Sequence, residues 1–245
     1  MYEKNEVCNL TENSNNNNQN AQDMRMPSGS LNIDNLLGGG FEYGIISQIY
    51  GASGTGKTNI CTQLIVQCIR GGKKAVLIDT EGFSAERFSQ IAGNDAKQLA
   101  SELIIYEPKD FRQQYSAIMD IEKIVSTGIE LIIVDSIILF YRFGLGANDN
   151  NNNTNIRRQL VEQLAGLYRL ARKYNMVIVI TNQVYTDTES GDFVPLGGNL
   201  IEHISKTIIM MERTGVNKRM ATLIKHRSRE EGQKKELEIT GEGIF

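Results

Sequence analysis

Five short apolar runs punctuate the chain: IISQIY (45–50), AVLIDT (75–80), LIIYEP (103–108), LIIVD (131–135) and MVIVITNQ (176–183). Each has the length of a strand and is apolar almost throughout. Strands of that kind are covered on both faces, as in a parallel sheet. Helical segments separate them. The clearest is 154–174, where Ile156, Leu160, Leu164, Leu167 and Ala171 form one apolar stripe and Arg157, Arg158, Arg169 and Arg172 lie off it. After Gly198 the pattern changes. KTIIMMER (206–213) and RMATLIKHR (219–227) predict a hairpin, and ELEITGEG (236–243) offers a further strand. The expected fold is α/β: a mostly parallel sheet flanked by helices, closed on one edge by C-terminal antiparallel strands.

The 245 residues suit one α/β domain with a tail. Residues 1–26, with NSNNNNQN at 13–20, are expected to be a disordered tail ahead of a core at 27–245. A second asparagine run, NDNNNNTN (148–155), is expected to be a mobile loop. The first 30 residues lack an apolar core segment, and LIIVDSIILF (131–140) is interrupted by Asp135 and Ser136. It is also too short to span a bilayer, so the expectation is a cytosolic protein with no membrane contact. The cysteines are Cys8, Cys61 and Cys68. An odd, sparse count suggests a reducing compartment, and Cys61 and Cys68 share one helix face as small buried residues. Net charge is −3, so any contact with a polyanion must come from a local patch.

GASGTGKT (51–58) is a full G-x-x-x-x-G-K-[ST] match between a strand and a helix. Gly51, Ala52, Ser53, Gly54, Thr55 and Gly56 would turn backbone N–H groups around phosphate oxygens. The helix N-terminus adds positive potential. Lys57 supplies a point charge to the outer phosphates, and Thr58 a hydroxyl to Mg²⁺. The substrate class is therefore a nucleoside triphosphate, read as ATP with Mg²⁺. Asp135, closing LIIVD, is the second metal carboxylate. Glu81, after AVLIDT, stands where a general base could reach the water in line with the γ-phosphate. Asp79 competes with it: two residues apart on a strand, both side chains share a face. Gln183 ends the last central run, where its amide could sense the γ-phosphate.

SGSLNIDNLLGGGFEYG, GASGTGKT, VLIDTEG with ER shortly after, LIIVDS, VITNQV and LGGN occur in this order. Together they resemble the ATPase core of the RecA/RadA recombinase family, from about Pro27 to the C-terminus. The resemblance implies a RecA-type P-loop NTPase core. It gives Glu81 the catalytic glutamate role, Gln183 the γ-phosphate switch, and Arg87 the arginine that stacks on adenine. Two features depart from full RadA-type recombinases: the N-terminal helix-hairpin-helix domain is missing, and no F-x-x-A docking segment occurs. LIKHRSREEG (223–232) followed by ELEITGEGI looks like the short archaeal paralogues of the family. That likeness implies DNA binding, weak ATP hydrolysis that DNA does not stimulate, and no strand exchange. It implies assistance to recombination and repair, including regulation of branched-DNA cleavage, with the recombinase RadA or a junction nuclease as partner. Self-association would have to proceed without the F-x-x-A hook.

The segment after Gln183, NQVYTDTESGDFVPLGGN (182–199), holds Asp187, Glu189 and Asp192 and no Lys or Arg. The family places a DNA-binding loop there, and this one should repel phosphates. The other candidate DNA loop, 141–155, has Arg142 as its one cation ahead of the long helix. Two cation-poor loops argue against a strand-exchange recombinase. A clock-type regulatory ATPase acting on proteins is the other alternative, disfavoured by the DTEG strand and the ITNQ-to-LGGN spacing. The densest basic stretch is 213–229: Arg213, Lys218, Arg219, Lys225, Arg227 and Arg229. It reads equally as a solvated hairpin face or as a sequence-independent DNA-backbone patch. Lys225 and Arg227 also resemble the pair that related ATPases extend to a neighbour's γ-phosphate. The expected division is Arg219 and Arg229 on DNA, with Lys225 and Arg227 nearer the nucleotide.

Overall fold

The computed structural model describes residues 25–145, 150–186 and 193–245. The chain opens with β1 (Arg25–Met26), α1 (Leu31–Leu37) and β2 (Phe41–Glu42). The core follows: β3 (Ile45–Gly51), α2 (Lys57–Arg70), β4 (Lys74–Asp79), α3 (Ala85–Ala92), α4 (Ala96–Ala100), β5 (Leu103–Tyr106), α5 (Phe111–Ile124) and β6 (Ile129–Asp135). Then come α6 (Leu139–Gly144), α7 (Asn150–Tyr174), β7 (Val177–Asn182), β8 (Val184–Thr186) and β9 (Phe193–Pro195). The C-terminal part is α8 (Gly198–Ile204), β10 (Ser205–Arg213), β11 (Lys218–Lys225) and β12 (Lys234–Glu238).

Eight strands form the main sheet in the order β12-β11-β10-β3-β7-β6-β4-β5. From β10 to β5 every pairing is parallel, and β10–β11 and β11–β12 are antiparallel. The five apolar runs are β3 to β7, and each is shorter or longer than its run by a few residues at most. Their continuous hydrophobicity has the expected cause. On β6, Leu131 and Ile133 enter one core while Ile132 and Val134 enter the other. β7 divides the same way, Val177 and Val179 against Ile178 and Ile180. The first core is completed by α1 to α4, through Ile33, Leu64, Phe88 and Leu99. The second is completed by α5 to α8, through Ile118, Tyr141, Leu164 and Ile201. Each fully buried Ile or Leu contributes roughly 1.5–3 kcal/mol of transfer free energy. A sheet covered on both faces leaves its strand ends as the place for chemistry.

Two boundaries are corrected. Arg25 and Met26, assigned to the tail, pair with Glu42 and Phe41. Arg25 also donates to the carbonyls of Leu37 and Gly38, so it closes the open C-terminal end of α1. The rest of the expected tail lies outside the described residues. The second asparagine run is also misread in part, since Asn150–Asn155 form the first turns of α7. The apolar stripe from Ile156 onward docks that helix, and the polar turns ahead of it continue the same hydrogen-bond ladder. Among the described residues no helix is long and apolar enough to cross a membrane.

Candidate active site

β3 delivers its last residue, Gly51, against β10, where a Cβ would lie 2.2 Å from the carbonyl of Met211. Only glycine fits that approach. The turn that follows is braced by Thr55 Oγ1 donating to Ala52 O at 2.8 Å. At its crest Gly54 has φ +73°, and no atom lies within 4 Å of its notional Cβ. The crest is therefore open, as a phosphate cradle must be. Lys57 begins α2 and is buried, with Nζ donating to the carbonyls of Gly51 (2.9 Å) and Ala52 (3.0 Å). Burial pulls its pKa below the usual lysine value, and the charges of Glu81 and Asp135 oppose that fall. Gly51 thus closes β3, residues 52–56 form the turn between β3 and α2, and Lys57 and Thr58 begin the helix.

Thr58 Oγ1 donates to Asp135 Oδ2 at 2.8 Å, although 77 residues separate them. The other carboxylate oxygen accepts from the hydroxyl of Thr181 on β7. Asp135 is 3% exposed, and burial raises its pKa despite both hydroxyl donors. A hydroxyl and a carboxylate oxygen at hydrogen-bond distance are the hard donors Mg²⁺ takes, so the residues fit that ion. Bound there, Mg²⁺ would neutralise charge on the phosphates. Thr181 escaped sequence reasoning. The available signal was a hydroxyl residue closing an otherwise apolar strand.

Asp79 and Glu81 have different surroundings in the turn after β4. The strand ends at Asp79, so the assumption that both acids share a strand face is corrected. Asp79 is buried and accepts from the backbone N–H groups of Glu81, Gly82 and Phe83. Its oxygens build the turn. Glu81 is exposed, and its Oε1 accepts from Gln183 Nε2 at 2.7 Å. Gln183 Oε1 in turn accepts from Arg142 Nη1 at 2.6 Å. β4 follows β3 in sequence but not in the sheet, where β7 and β6 stand between them. Glu81 meets Gln183 across β6, at one end of the sheet with Asp135.

Arg87, on α3, reaches the same region from the first-core face. Its Nε donates to Asn59 Oδ1 at 2.6 Å, and its Nη atoms to the carbonyls of Gly241 (3.0 Å) and Gly243 (3.3 Å). These bonds use the edge of the planar guanidinium, whereas stacking on a base uses its faces. The closing segment is held to α2 as well, through Ile244 N donating to Gln63 Oε1 at 2.8 Å. Ile239 and Ile244 each come to 3.2 Å from a Cβ placed on Gly56. They wall the flank of the loop that faces Arg87 and the closing segment, a place the sequence reading did not give them.

The family model for Rad51 matches residues 19–245. The chain belongs to the RadB group of the Rad51 family. The DNA repair and recombination protein RadB of Methanococcoides burtonii is 52% identical over 212 residues, covering 86% of this chain and 93% of that one. RadB of Archaeoglobus fulgidus is 46% identical over 224 residues, covering 91% and 99%. A crystal structure of the RadB recombinase superposes with a TM-score of 0.78 at 32% identity, covering 89% of this chain and 98% of that one.

In this RadB-group chain the basic stretch is not one surface. Ala221 pairs with Met211, which pairs with Gly51, so the 213–218 tip of the hairpin lies at the phosphate end. Lys225 pairs with Ile208, which faces Gln48, three residues back from Gly51 and about 10 Å down the sheet. Arg227 lies further that way, paired with Glu42 just before β3. Antiparallel register therefore puts Lys225 and Arg227 away from this chain's own phosphate loop, so the expectation that they lie nearer the nucleotide can hold only for a neighbouring subunit's. Arg219 is also corrected. It is 8% exposed, with Nη1 on the carbonyls of Gly215 and Lys218, so it offers little to a phosphate backbone. Arg229 is exposed and donates to Asn35 O at 2.9 Å. Lys225 donates to Glu202 O at 2.8 Å. Asp187, Glu189 and Asp192 lie outside the described residues.

Proposed function

We propose that this protein binds ATP with Mg²⁺, hydrolyses it slowly, and serves homologous recombination and DNA repair as a DNA-binding accessory factor that does not exchange strands by itself. The observation that carries the nucleotide reading is convergence at one sheet end. Lys57, the Thr58–Asp135 pair and the Gln183–Glu81 pair come from the start of α2, the end of β6 and the turns after β7 and β4. In this reading Lys57 binds the outer phosphates, Glu81 takes the proton of the attacking water, and Gln183 registers the terminal phosphate. A Glu81 whose carboxylate is engaged by Gln183 is consistent with slow turnover.

The relatives are DNA repair and recombination proteins by name, which supports the DNA side. The acidic 187–192 segment and the lack of an F-x-x-A motif bear on the other half of the reading, since they argue against filament-driven strand exchange. DNA would be held through its phosphates by exposed cations at two separate places, Arg213 and Lys218 at the hairpin tip and Arg229 beyond the far end of β11. Lys225 and Arg227 could act on a nucleotide only in another subunit. The partner is a recombinase such as RadA or a junction nuclease, whose cleavage of branched DNA this protein would regulate. The test pairs two assays: ATP binding and single-turnover hydrolysis, and mobility shift with single-stranded, duplex and junction DNA at physiological salt. Binding of both ligands without joint-molecule formation supports the reading. Joint molecules formed by the protein alone would overturn it.

A further inference from the structure

Arg142 has no role in the nucleotide chemistry described so far. It stands on α6, directly after β6, where the neighbouring Tyr141 is buried in the second core and fixes the helix. The backbone N–H of Arg142 donates to Ile138 O at 3.0 Å. Its side chain is exposed, and Nη1 lies 2.6 Å from Gln183 Oε1. The other end of that amide, Nε2, lies 2.7 Å from Glu81 Oε1.

A side-chain amide accepts at one end and donates at the other. A guanidinium only donates, and an ionised carboxylate only accepts. An amide between the two makes both bonds in one orientation. Turned over, it sets its carbonyl against the carboxylate and its NH₂ against the guanidinium, losing both. We propose that Arg142 is a positioning residue of the ATPase. It holds the Gln183 amide with its donor end toward Glu81 and the phosphate end of the site. This rests on the ATP-site reading above. A terminal phosphate is an anionic acceptor like the Glu81 carboxylate, so only an amide held this way can engage either one.

A chance surface contact is the competing explanation, since exposed charged groups often pair without effect. It makes a different prediction. ATP and ADP affinities and single-turnover hydrolysis would be measured for the wild type, Arg142→Ala, Arg142→Lys, Gln183→Ala and the Arg142→Ala/Gln183→Ala double variant. Thermal melting would show each variant folded. Arg142→Ala should weaken ATP relative to ADP by about 2- to 10-fold, the range of one hydrogen bond. Arg142→Lys, which still donates, should recover part of the loss. In the Gln183→Ala background, Arg142→Ala should cost nothing further. An unchanged ATP-to-ADP ratio and hydrolysis rate in Arg142→Ala overturns the proposal, as does a loss that persists at full size without Gln183. A wild type that binds no ATP refutes the ATP-site reading and this role with it. A wild type that binds ATP while Arg142→Ala matches it refutes this role alone.

Discussion

The carboxylate of Asp79 accepts a hydrogen bond from the backbone N–H of Glu81 at 3.2 Å. Two acids that sequence spacing made interchangeable therefore have different duties, one folding the turn and the other projecting from it. Glu81→Gln should bind ATP nearly as the wild type does and lose roughly 10²–10⁴-fold in hydrolysis. Asp79→Asn should lower stability by about 1–3 kcal/mol, because its NH₂ replaces one of the two acceptor oxygens and leaves part of the turn's N–H groups without a partner. Single-turnover kinetics beside thermal unfolding separate the two. Full turnover in Glu81→Gln would show that the wrong acid carries the proton.

Lys57 is the one cation the P-loop itself supplies. Lys57→Ala should bring ATP affinity below detection in equilibrium dialysis while the fold survives, since the lysine's partners are two loop carbonyls. Unchanged affinity would remove the loop from the nucleotide reading.

Asp135 should trade stability for ligand binding. Burial raises its pKa above the ordinary 3.8, so the folded state holds the proton more tightly than the unfolded chain. The stabilisation linked to that proton is present at pH below 3.8 and lost as pH rises through the higher folded value. At neutral pH the ionised group is a cost. Asp135→Asn should therefore raise Tm of the nucleotide-free protein near pH 7, with the gain vanishing on acidification. It should also weaken Mg²⁺-dependent ATP binding. A Tm that falls at neutral pH would mean that the hydroxyl bonds from Thr58 and Thr181 outweigh the burial.

The hairpin cations should divide by position. Replacing Arg213, Lys218 and Arg229 together with Ala should weaken DNA binding for every sequence alike. The salt slope on duplex DNA should shrink by up to ~0.9 per lost phosphate contact. Arg219→Ala should leave that slope unchanged and act on hairpin stability instead. If Lys225→Ala and Arg227→Ala lower hydrolysis only at protein concentrations that allow association, they reach a second subunit's nucleotide. A salt slope that moves with Arg219 alone would contradict its burial.

The P-loop was legible in sequence because all its atoms are local: eight consecutive residues between a strand and a helix. The sheet was legible because both-sided burial leaves strands apolar throughout. What was not legible depends on distant partners or on register. Thr181 lies 46 residues from the carboxylate it serves. The function of Asp79 is set by a turn whose backbone it caps, which spacing along an assumed strand cannot show. The basic stretch is contiguous in sequence, but an antiparallel turn sends its two halves to opposite ends of the sheet. Asn150–Asn155 read as loop because their composition is polar, yet a helix docked by its later turns carries them.

Ile244 bonds to Gln63 across 181 residues, and Arg87 holds Gly241 and Gly243 in place. During synthesis the glycine-rich loop and its helix are therefore made long before the segment that walls their flank. At about 5–20 residues per second, that interval is roughly 10–40 s. A nascent chain in that window has the residues of the loop and its helix but neither β10, against which Gly51 packs, nor the segment that walls the flank. The flank is completed only when the closing segment folds back, a late step in the making of this protein.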